Sequence, residues 1–122
     1  MGILYVDCIV ANHVNERRSR KVSKVLVDTG SECTWMAASV LESLGIIRRK
    51  KDMEFLMANG KTITRSIGFA VIRSGEYFTI DEVVFAEPGD LQLLGARTLE
   101  GMGVVPDPRR KKLVAAGPIP AA

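Results

Sequence analysis

The chain has 122 residues, 47% of them hydrophobic and 25% charged, which suits one domain with a buried core. Its net charge of +3 is too small to indicate nucleic-acid binding, and no apolar run approaches the ~20 residues that span a bilayer. Two cysteines, Cys8 and Cys33, are too few for a disulfide scaffold, so we expect reduced thiols, with a bridge between them as the alternative.

Two strands are predicted at the start of the chain. Residues 3–14 are rich in β-branched and apolar side chains, residues 15–20 are polar and predict a hairpin loop, and residues 21–27 predict the return strand. Asp7 interrupts the first apolar stretch and no basic leader precedes it, so we expect no signal peptide and a cytoplasmic protein.

His13 is the only histidine, and the chain has no Cys-x-x-Cys pattern. We therefore expect neither a metal site nor a cofactor. A thiol site built from Cys8, His13 and Cys33 is an alternative, but the strand position of Cys8 favours simple packing.

The second predicted strand ends in the sequence on which the functional argument depends. Val25, Leu26 and Val27 lead directly into Asp28-Thr29-Gly30. A carboxylate at the end of a buried strand is costly unless hydrogen bonds or a second charge state stabilise it, and Gly30 allows a tight turn beside it. The tripeptide alone favours an ordinary Asx-type turn, and only its surroundings make it a candidate catalytic site.

A helix and a hairpin are predicted next. Apolar residues recur at helical spacing from Ala37 to Leu44, and Gly45 stands where a C-terminal cap belongs. Residues 53–65 predict a hairpin closed by Asn59-Gly60, which would pair Leu56 with Ile63 and Met57 with Thr62. Its arms show no clean apolar face, so we expect it to project and move, either as a lid or as a surface hairpin without a role.

A second hairpin is predicted to turn at Ser74-Gly75. It would pair Phe69 with Ile80 and Val71 with Phe78, which gives one apolar face typical of a core sheet. Its return strand is expected to run through residues 83–85 into a turn at 87–90.

The remaining chain predicts short elements and a tail. Residues 91–95 indicate a short buried strand, and residues 96–100 a short helix that Gly101 and Gly103 stop. Pro106 and Pro108 should then break regular structure until a last strand at 112–115. We expect one domain over residues 1–116 and a flexible C-terminal tail over 117–122.

This order of elements resembles the single-domain retropepsin-like aspartic proteases, the family of the retroviral proteases and their bacterial and archaeal relatives. The resemblance covers roughly residues 3–115. Two motifs carry it: Asp28-Thr29-Gly30-Ser31 after apolar residues, with Thr34 following, and Leu93-Leu94-Gly95 with its helix. Ala58-Asn59-Gly60-Lys61 and Pro106-Asp107-Pro108 look most like the bacterial branch.

The resemblance implies an all-β fold with one or two short helices, a closed barrel that carries one half of an active site. It implies an aspartic endopeptidase with Asp28, Thr29 and Gly30 as catalytic residues. The residues that it implies for substrate binding are Ser31, Met57, Ala58, Asn59, Gly60 and Lys61, with Met57–Thr62 forming a flap. We also expect Ser31 to donate a hydrogen bond to the Asp28 carboxylate.

One chain supplies only one such aspartate. Peptide hydrolysis of this type needs two carboxylates that share a proton, and no other aspartate of the sequence lies in an Asp-Thr-Gly or Asp-Ser-Gly context. The second carboxylate must then come from Asp28 of another copy, which predicts a homodimer acting on a peptide or protein.

Some features leave alternatives open. A dimeric protease-like domain that binds peptides or partners without cleaving them is the second hypothesis, and RNA binding is a weaker third, because aromatic stacking platforms are lacking. The retroviral pattern has Arg directly after the late glycine, whereas here Ala96 precedes Arg97. The Arg–carboxylate pair that braces the retroviral dimer is therefore expected to be either missing or remade, with Glu32 as the candidate partner. Whether Leu113–Ala115 joins an interchain sheet stays open.

Overall fold

The computed structural model describes residues 2–121. The first residue of the predicted domain, Met1, and the last residue of the predicted tail, Ala122, lie outside this range. Its elements, in chain order, are β1 (Tyr5–Ala11), β2 (Ser19–Val27), β3 (Thr34–Ala37), α1 (Ala38–Ser43), β4 (Lys50–Leu56), β5 (Thr62–Ser74), β6 (Tyr77–Ala86), β7 (Leu93–Leu94), α2 (Ala96–Met102), β8 (Val104–Asp107) and β9 (Lys112–Ala115).

A seven-stranded sheet forms most of the molecule. Its strand order is β1-β2-β7-β3-β6-β5-β4, and β1 also pairs with β5, which closes six of the strands into a ring. The interior of this ring is filled by fully buried apolar side chains, among them Val10, Met36, Leu41, Ile72 and Phe85. The expected all-β barrel with two short helices is therefore confirmed. None of the helices within residues 2–121 is long and apolar enough to cross a membrane.

The strand β3 was not predicted. It lies between the Asp-Thr-Gly motif and α1, where it pairs in parallel with β6 and also contacts β7. Thr34, Trp35 and Met36 are all buried, so this strand lacks the alternation of polar and apolar residues by which a half-exposed strand is recognised. The helix α1 is accordingly shorter than expected, and Gly45 follows it with a φ of +71°, as predicted for a cap.

The first predicted hairpin forms, but its register is one residue from the prediction. Leu56 pairs with Thr62 and Phe55 with Ile63, because the connection runs over residues 57–61, with Gly60 at a φ of +83°. A slip by one residue exchanges the two faces of a strand. Phe55 and Ile63 thus share a face that packs against Trp35, so the expectation of a hairpin without an apolar face is wrong.

The second hairpin is also displaced from its predicted register. It turns at Gly75-Glu76, with Gly75 at a φ of +59° in the first central position of the turn. Ser74 pairs with Tyr77, and the aromatic ring of Phe78 is 55% exposed, so the expected apolar core face is wrong. The face that enters the core carries Ala70 and Ile72.

The C-terminal elements differ from prediction at the prolines. The strand β7 and the turn before it are confirmed, and α2 continues through Gly101 to end at Gly103, whose φ is +71°. Pro106 does not break the chain but lies in β8, a position that a two-stranded sheet tolerates because each strand has a free edge. The strand β9 forms as predicted and pairs with β8 of its own chain.

A largely buried ion pair ties β5 to the turn before β7. The Arg65 guanidinium donates from Nε to Asp90 Oδ2 at 2.7 Å and from Nη2 to Oδ1 at 3.0 Å. These hydrogen bonds hold the pKa of the Asp90 carboxyl below its usual value. The side chains are only 15% and 13% exposed, so the pair is shielded from solvent screening.

Replacing Asp90→Asn should lower the free energy of unfolding at pH 7 by about 1–3 kcal/mol, because Arg65 loses a charged partner. Because the carboxyl has a lower pKa in the folded state than its unfolded value of about 3.9, its contribution is complete above about pH 4 and is lost on acidification. Denaturant titrations from pH 7 to pH 2.5 should therefore show the two proteins converging. The control is Glu87→Gln at a 59% exposed partner of Arg65, for which we expect a change below about 0.5 kcal/mol.

Candidate active site

The carboxylate of Asp28 stands at the C-terminal end of β2. Residues 26 and 27 pair in parallel with β7, and the backbone N–H of Asp28 continues this ladder by donating to the Leu94 carbonyl at 2.9 Å. One carboxylate oxygen, Oδ1, accepts the N–H of Gly30 at 2.9 Å. Asp28 is half-buried, whereas Thr29 and Gly30 are exposed. The motif's own glycine thus orients the carboxylate at the surface of this chain.

The segment that follows β7 lies directly against the Asp-Thr-Gly loop. The N–H of Ala96 donates to the Ser31 carbonyl at 2.7 Å, and that of Arg97 to the Glu32 carbonyl at 3.1 Å. A Cβ atom on Gly95 would lie 2.4 Å from the Cys33 carbonyl oxygen, so a side chain at residue 95 would push the two segments apart. The two motifs on which the family resemblance depends are therefore one packed unit.

The hydroxyl of Ser31 does not have the partner that was expected of it from the sequence. It donates to the Cys33 carbonyl at 3.1 Å, which stabilises the loop after the motif. A hydroxyl has one proton to donate, so this bond takes the place of the expected hydrogen bond to the Asp28 carboxylate. Ser31 remains beside the motif, and its role in substrate binding stays a prediction.

An apolar group of side chains, here named the cleft cluster, connects the β4–β5 hairpin to β2, the strand that precedes Asp28. Its members are Leu26, Cys33, Trp35, Phe55, Met57, Ile63, Ile67, Val84, Ala86 and Leu93. The rings of Trp35 and Phe55 meet edge to face with 5.1 Å between their centroids. Leu26 lies two residues before Asp28, so the cluster runs from the β4–β5 hairpin to the candidate site.

The predicted flap residues divide into an anchor and a tip. Met57 is half-buried and packs against the cleft cluster, whereas Ala58, Asn59, Gly60 and Lys61 are exposed. The tip is a closed turn, in which Met57 N–H donates to the Lys61 carbonyl at 2.8 Å and Asn59 Oδ1 accepts the Lys61 N–H at 3.0 Å. The hairpin is thus held at its arms and free of packing at its tip.

The arginine after the late glycine has a different partner from the one predicted. Arg97 lies 3.6 Å from Glu82 on β6, which also pairs with Lys50 of the flap strand β4, and Glu32 is not its partner. Burial raises the pKa of the Cys33 thiol above its usual value, against the lowering effect of the nearby Arg97 charge. Charged groups therefore border the cleft cluster on its β6 side.

Both cysteines are free thiols, as expected. Cys8 is buried in the barrel, where burial raises its pKa to about 12, whereas His13 is exposed. The interpretation of Cys8 as a packing residue is therefore supported over a thiol site. Across the described range, no group of three or more His, Cys, Asp or Glu side chains is placed to hold a metal ion.

Sequence reasoning missed Trp35, the only tryptophan, as part of the candidate cleft. It was missed because the segment after the motif was assigned to a turn and a helix rather than to β3. The indication was present, since Cys33 and Trp35 are two residues apart, the spacing that places side chains on the same face of an extended chain. Both belong to the cleft cluster.

Comparison with known proteins agrees with this geometry. A family model described as aspartyl protease matches residues 13–98, which is more than half of the chain and contains both glycine motifs and the flap hairpin. A search of curated proteins finds none that matches. On the family match, the chain belongs to the retropepsin-like aspartyl proteases.

Proposed function

We propose that this protein is an aspartic endopeptidase whose active site forms between two copies of the chain. The observation that carries the proposal is the setting of Asp28, a half-buried carboxylate that directly follows β2, oriented by Gly30 N–H and flanked by exposed residues 29 and 30. An exposed loop with a fixed carboxylate is what an isologous contact between two half-sites requires.

Two carboxylates are needed because the reaction requires a base and an acid at one place. When two carboxyl groups lie within a few ångströms, both cannot be ionised at once, so they share a proton. No other aspartate of this chain lies in the sequence context of Asp28. A twofold axis beside Thr29 supplies the second group, and Thr29 would contact the partner's loop across that axis, as its family counterpart does.

The mechanism follows from this arrangement. The ionised Asp28 takes a proton from a water held between the pair, and the protonated one donates a hydrogen bond to the carbonyl oxygen of the scissile peptide. The water oxygen adds to the carbonyl carbon to give a tetrahedral diol. Proton transfer to the peptide nitrogen then breaks the C–N bond, which releases an amine and a carboxylic acid.

The substrate is proposed to be an extended peptide that lies between the flap and the carboxylate pair. Gly30 and the flap backbone would add strand-like hydrogen bonds, with Ser31, Met57, Ala58, Asn59, Gly60 and Lys61 as the contact residues. The partly exposed side chains of the cleft cluster, such as Phe55 and Ile63, offer apolar area to substrate side chains. Closure of the tip would exclude water during the reaction.

Replacing Asp28→Asn should lower the rate of peptide cleavage by about 10² to 10⁴-fold, because Asn can neither accept nor return the proton. The measurement is cleavage of a peptide library between pH 4 and pH 7.5, followed by mass spectrometry. The matched control is Asp52→Asn, since Asp52 is exposed at a φ of +55° that Asn tolerates, and it should cleave as the parent does. Equal cleavage by the Asp28→Asn variant would rule out the mechanism, and peptide binding without cleavage by the parent would favour the binding-domain hypothesis.

Mixing the parent with an excess of the Asp28→Asn variant should inhibit the parent. If each site needs two Asp28 carboxylates, random exchange leaves activity per parent chain proportional to the parent's fraction of the mixture, so a ninefold excess leaves about one tenth. The variant must be pre-incubated with the parent, with sedimentation velocity used to follow dimer formation. Activity that is unaffected by the excess would show that one chain suffices.

The flap role is tested at two glycines that each lie in a hairpin turn and have a positive φ. Gly60→Ala and Gly75→Ala each place an alanine at a positive φ, with open space where the Cβ would stand. Each should cost about 1 kcal/mol of unfolding free energy through backbone strain. Only Gly60→Ala should change kcat/KM, by about threefold to tenfold, because only that turn covers the proposed cleft. An equal effect on kcat/KM from Gly75→Ala would contradict the flap assignment.

A further inference from the structure

A chain of four hydrogen bonds connects β6 to the segment behind Asp28. The backbone N–H of Gly95 donates to Thr34 Oγ1 at 3.0 Å, and the Thr34 hydroxyl donates to the Thr98 hydroxyl. Thr98 Oγ1 donates to Asp81 Oδ2 at 2.9 Å, while Asp81 Oδ1 accepts the Glu82 N–H at 2.7 Å. We name this series of groups the relay.

The direction of every donor in the relay is fixed. An ionised carboxylate only accepts hydrogen bonds, so Asp81 obliges the Thr98 hydroxyl to donate towards it. Thr98 Oγ1 is then the acceptor for the Thr34 hydroxyl, which leaves Thr34 Oγ1 as the acceptor for Gly95 N–H. In a medium of low dielectric constant, such a series of bonds strengthens each member.

Burial makes the relay costly unless all of it is satisfied. Thr34 and Thr98 are each 0% exposed, and within residues 2–121 no buried side-chain polar atom lacks a partner. A hydroxyl in such a place costs free energy that a valine of the same shape would not. Packing alone therefore does not account for two threonines here, whereas a need for directed hydrogen bonds does.

The relay ends at Gly95, in the segment whose backbone holds Asp28 in position. Leu94, whose carbonyl accepts the Asp28 N–H, is the residue before Gly95. The segment from Leu94 to Arg97 is bonded through its backbone to the loop that begins at Asp28. A displacement of Gly95 therefore moves the acceptor of the Asp28 backbone and, with it, the carboxylate.

We propose that Asp81 and Thr98 are positioning residues for Asp28, acting through Thr34 and Gly95. This inference rests on the proposed peptidase function for its effect on catalysis, although its effect on the backbone does not. Misplacement of a reacting group by about 1 Å can cost 10²-fold in rate, so loss of the relay should affect the chemical step more than substrate binding.

The test compares Thr98→Val, which removes the hydroxyl and keeps the shape, with Thr98→Ser, which keeps the hydroxyl. We expect Thr98→Val to lower kcat by about 10-fold to 100-fold and to leave KM within about threefold, with Thr98→Ser restoring most of kcat. Asp81→Asn should have an intermediate effect, because the donors Thr98 and Glu82 N–H bond to different carboxylate oxygens, and an amide keeps only one of the two as an acceptor. It also provides the test if Thr98→Val does not fold.

The matched control is Thr79→Val. It removes a hydroxyl from β6, the strand that carries Asp81, but outside the relay, and it should leave kcat unchanged. Amide hydrogen exchange gives a readout that does not need activity. In Thr98→Val, the amides of Asp28 and Gly95 should exchange at least about tenfold faster relative to those of β5, because opening is local. A uniform acceleration of all core amides, with kcat per folded dimer unchanged, would show a merely structural role and overturn the proposal.

The outcomes separate the two proposals. A parent protein that cleaves no peptide would contradict the proposed function, and the relay would then be judged by amide exchange alone. Normal cleavage by Thr98→Val with unchanged exchange at Asp28 and Gly95 would overturn the relay and leave the peptidase proposal intact.

Discussion

The candidate site depends on one contact between two stretches of backbone, the loop that begins at Asp28 and the segment that begins at Leu94. Three backbone hydrogen bonds join them, at 2.9, 2.7 and 3.1 Å. Gly95 lies so close to the Cys33 carbonyl that a Cβ at residue 95 would stand 2.4 Å from its oxygen. Because backbone groups must be paired when they are buried, this contact fixes the path of both segments. The carboxylate position follows from that path.

Two apolar regions on either side of this contact have different properties. The barrel interior is filled by residues that are almost completely buried, which fixes the strands around it. The cleft cluster combines buried members such as Trp35 with half-buried ones such as Phe55 and Met57. The first region therefore supplies rigidity to the site, and the second retains apolar area beside it while it connects the β4–β5 hairpin to β2.

The C-terminal strands β8 and β9 pair their backbone groups with each other, within one chain. The helix α2 lies between this small sheet and the barrel. The N-terminal segment is tied down separately, because the Leu4 carbonyl accepts the Val27 N–H at 2.9 Å. The end of β2 is therefore held by backbone hydrogen bonds to Leu4 and Leu94, while residues 29 and 30 remain exposed beyond it.

Short motifs with strong local chemistry were predictable, and registers were not. The strand before Asp28, the glycine cap at Gly45, the strand at Leu93-Leu94 and the last strand all follow from local pattern and are present. Both hairpins exist as predicted, yet each was assigned the wrong register, because the loop length depends on the position that the glycine with positive φ takes in the turn. This error concealed the face on which Phe55 meets Trp35.

The sequence by itself determined the family, the barrel class and the identity of the candidate carboxylate, because a buried strand that ends in Asp-Thr-Gly carries its chemistry within a few residues. Only the tertiary structure decided the partners of Ser31 and Arg97 and the series of bonds from Asp81 to Gly95. These contacts join residues that are distant in sequence, such as Thr34 and Thr98, and no local pattern specifies which buried hydroxyls will meet. Their pairing is set by how β3, β6 and α2 pack together.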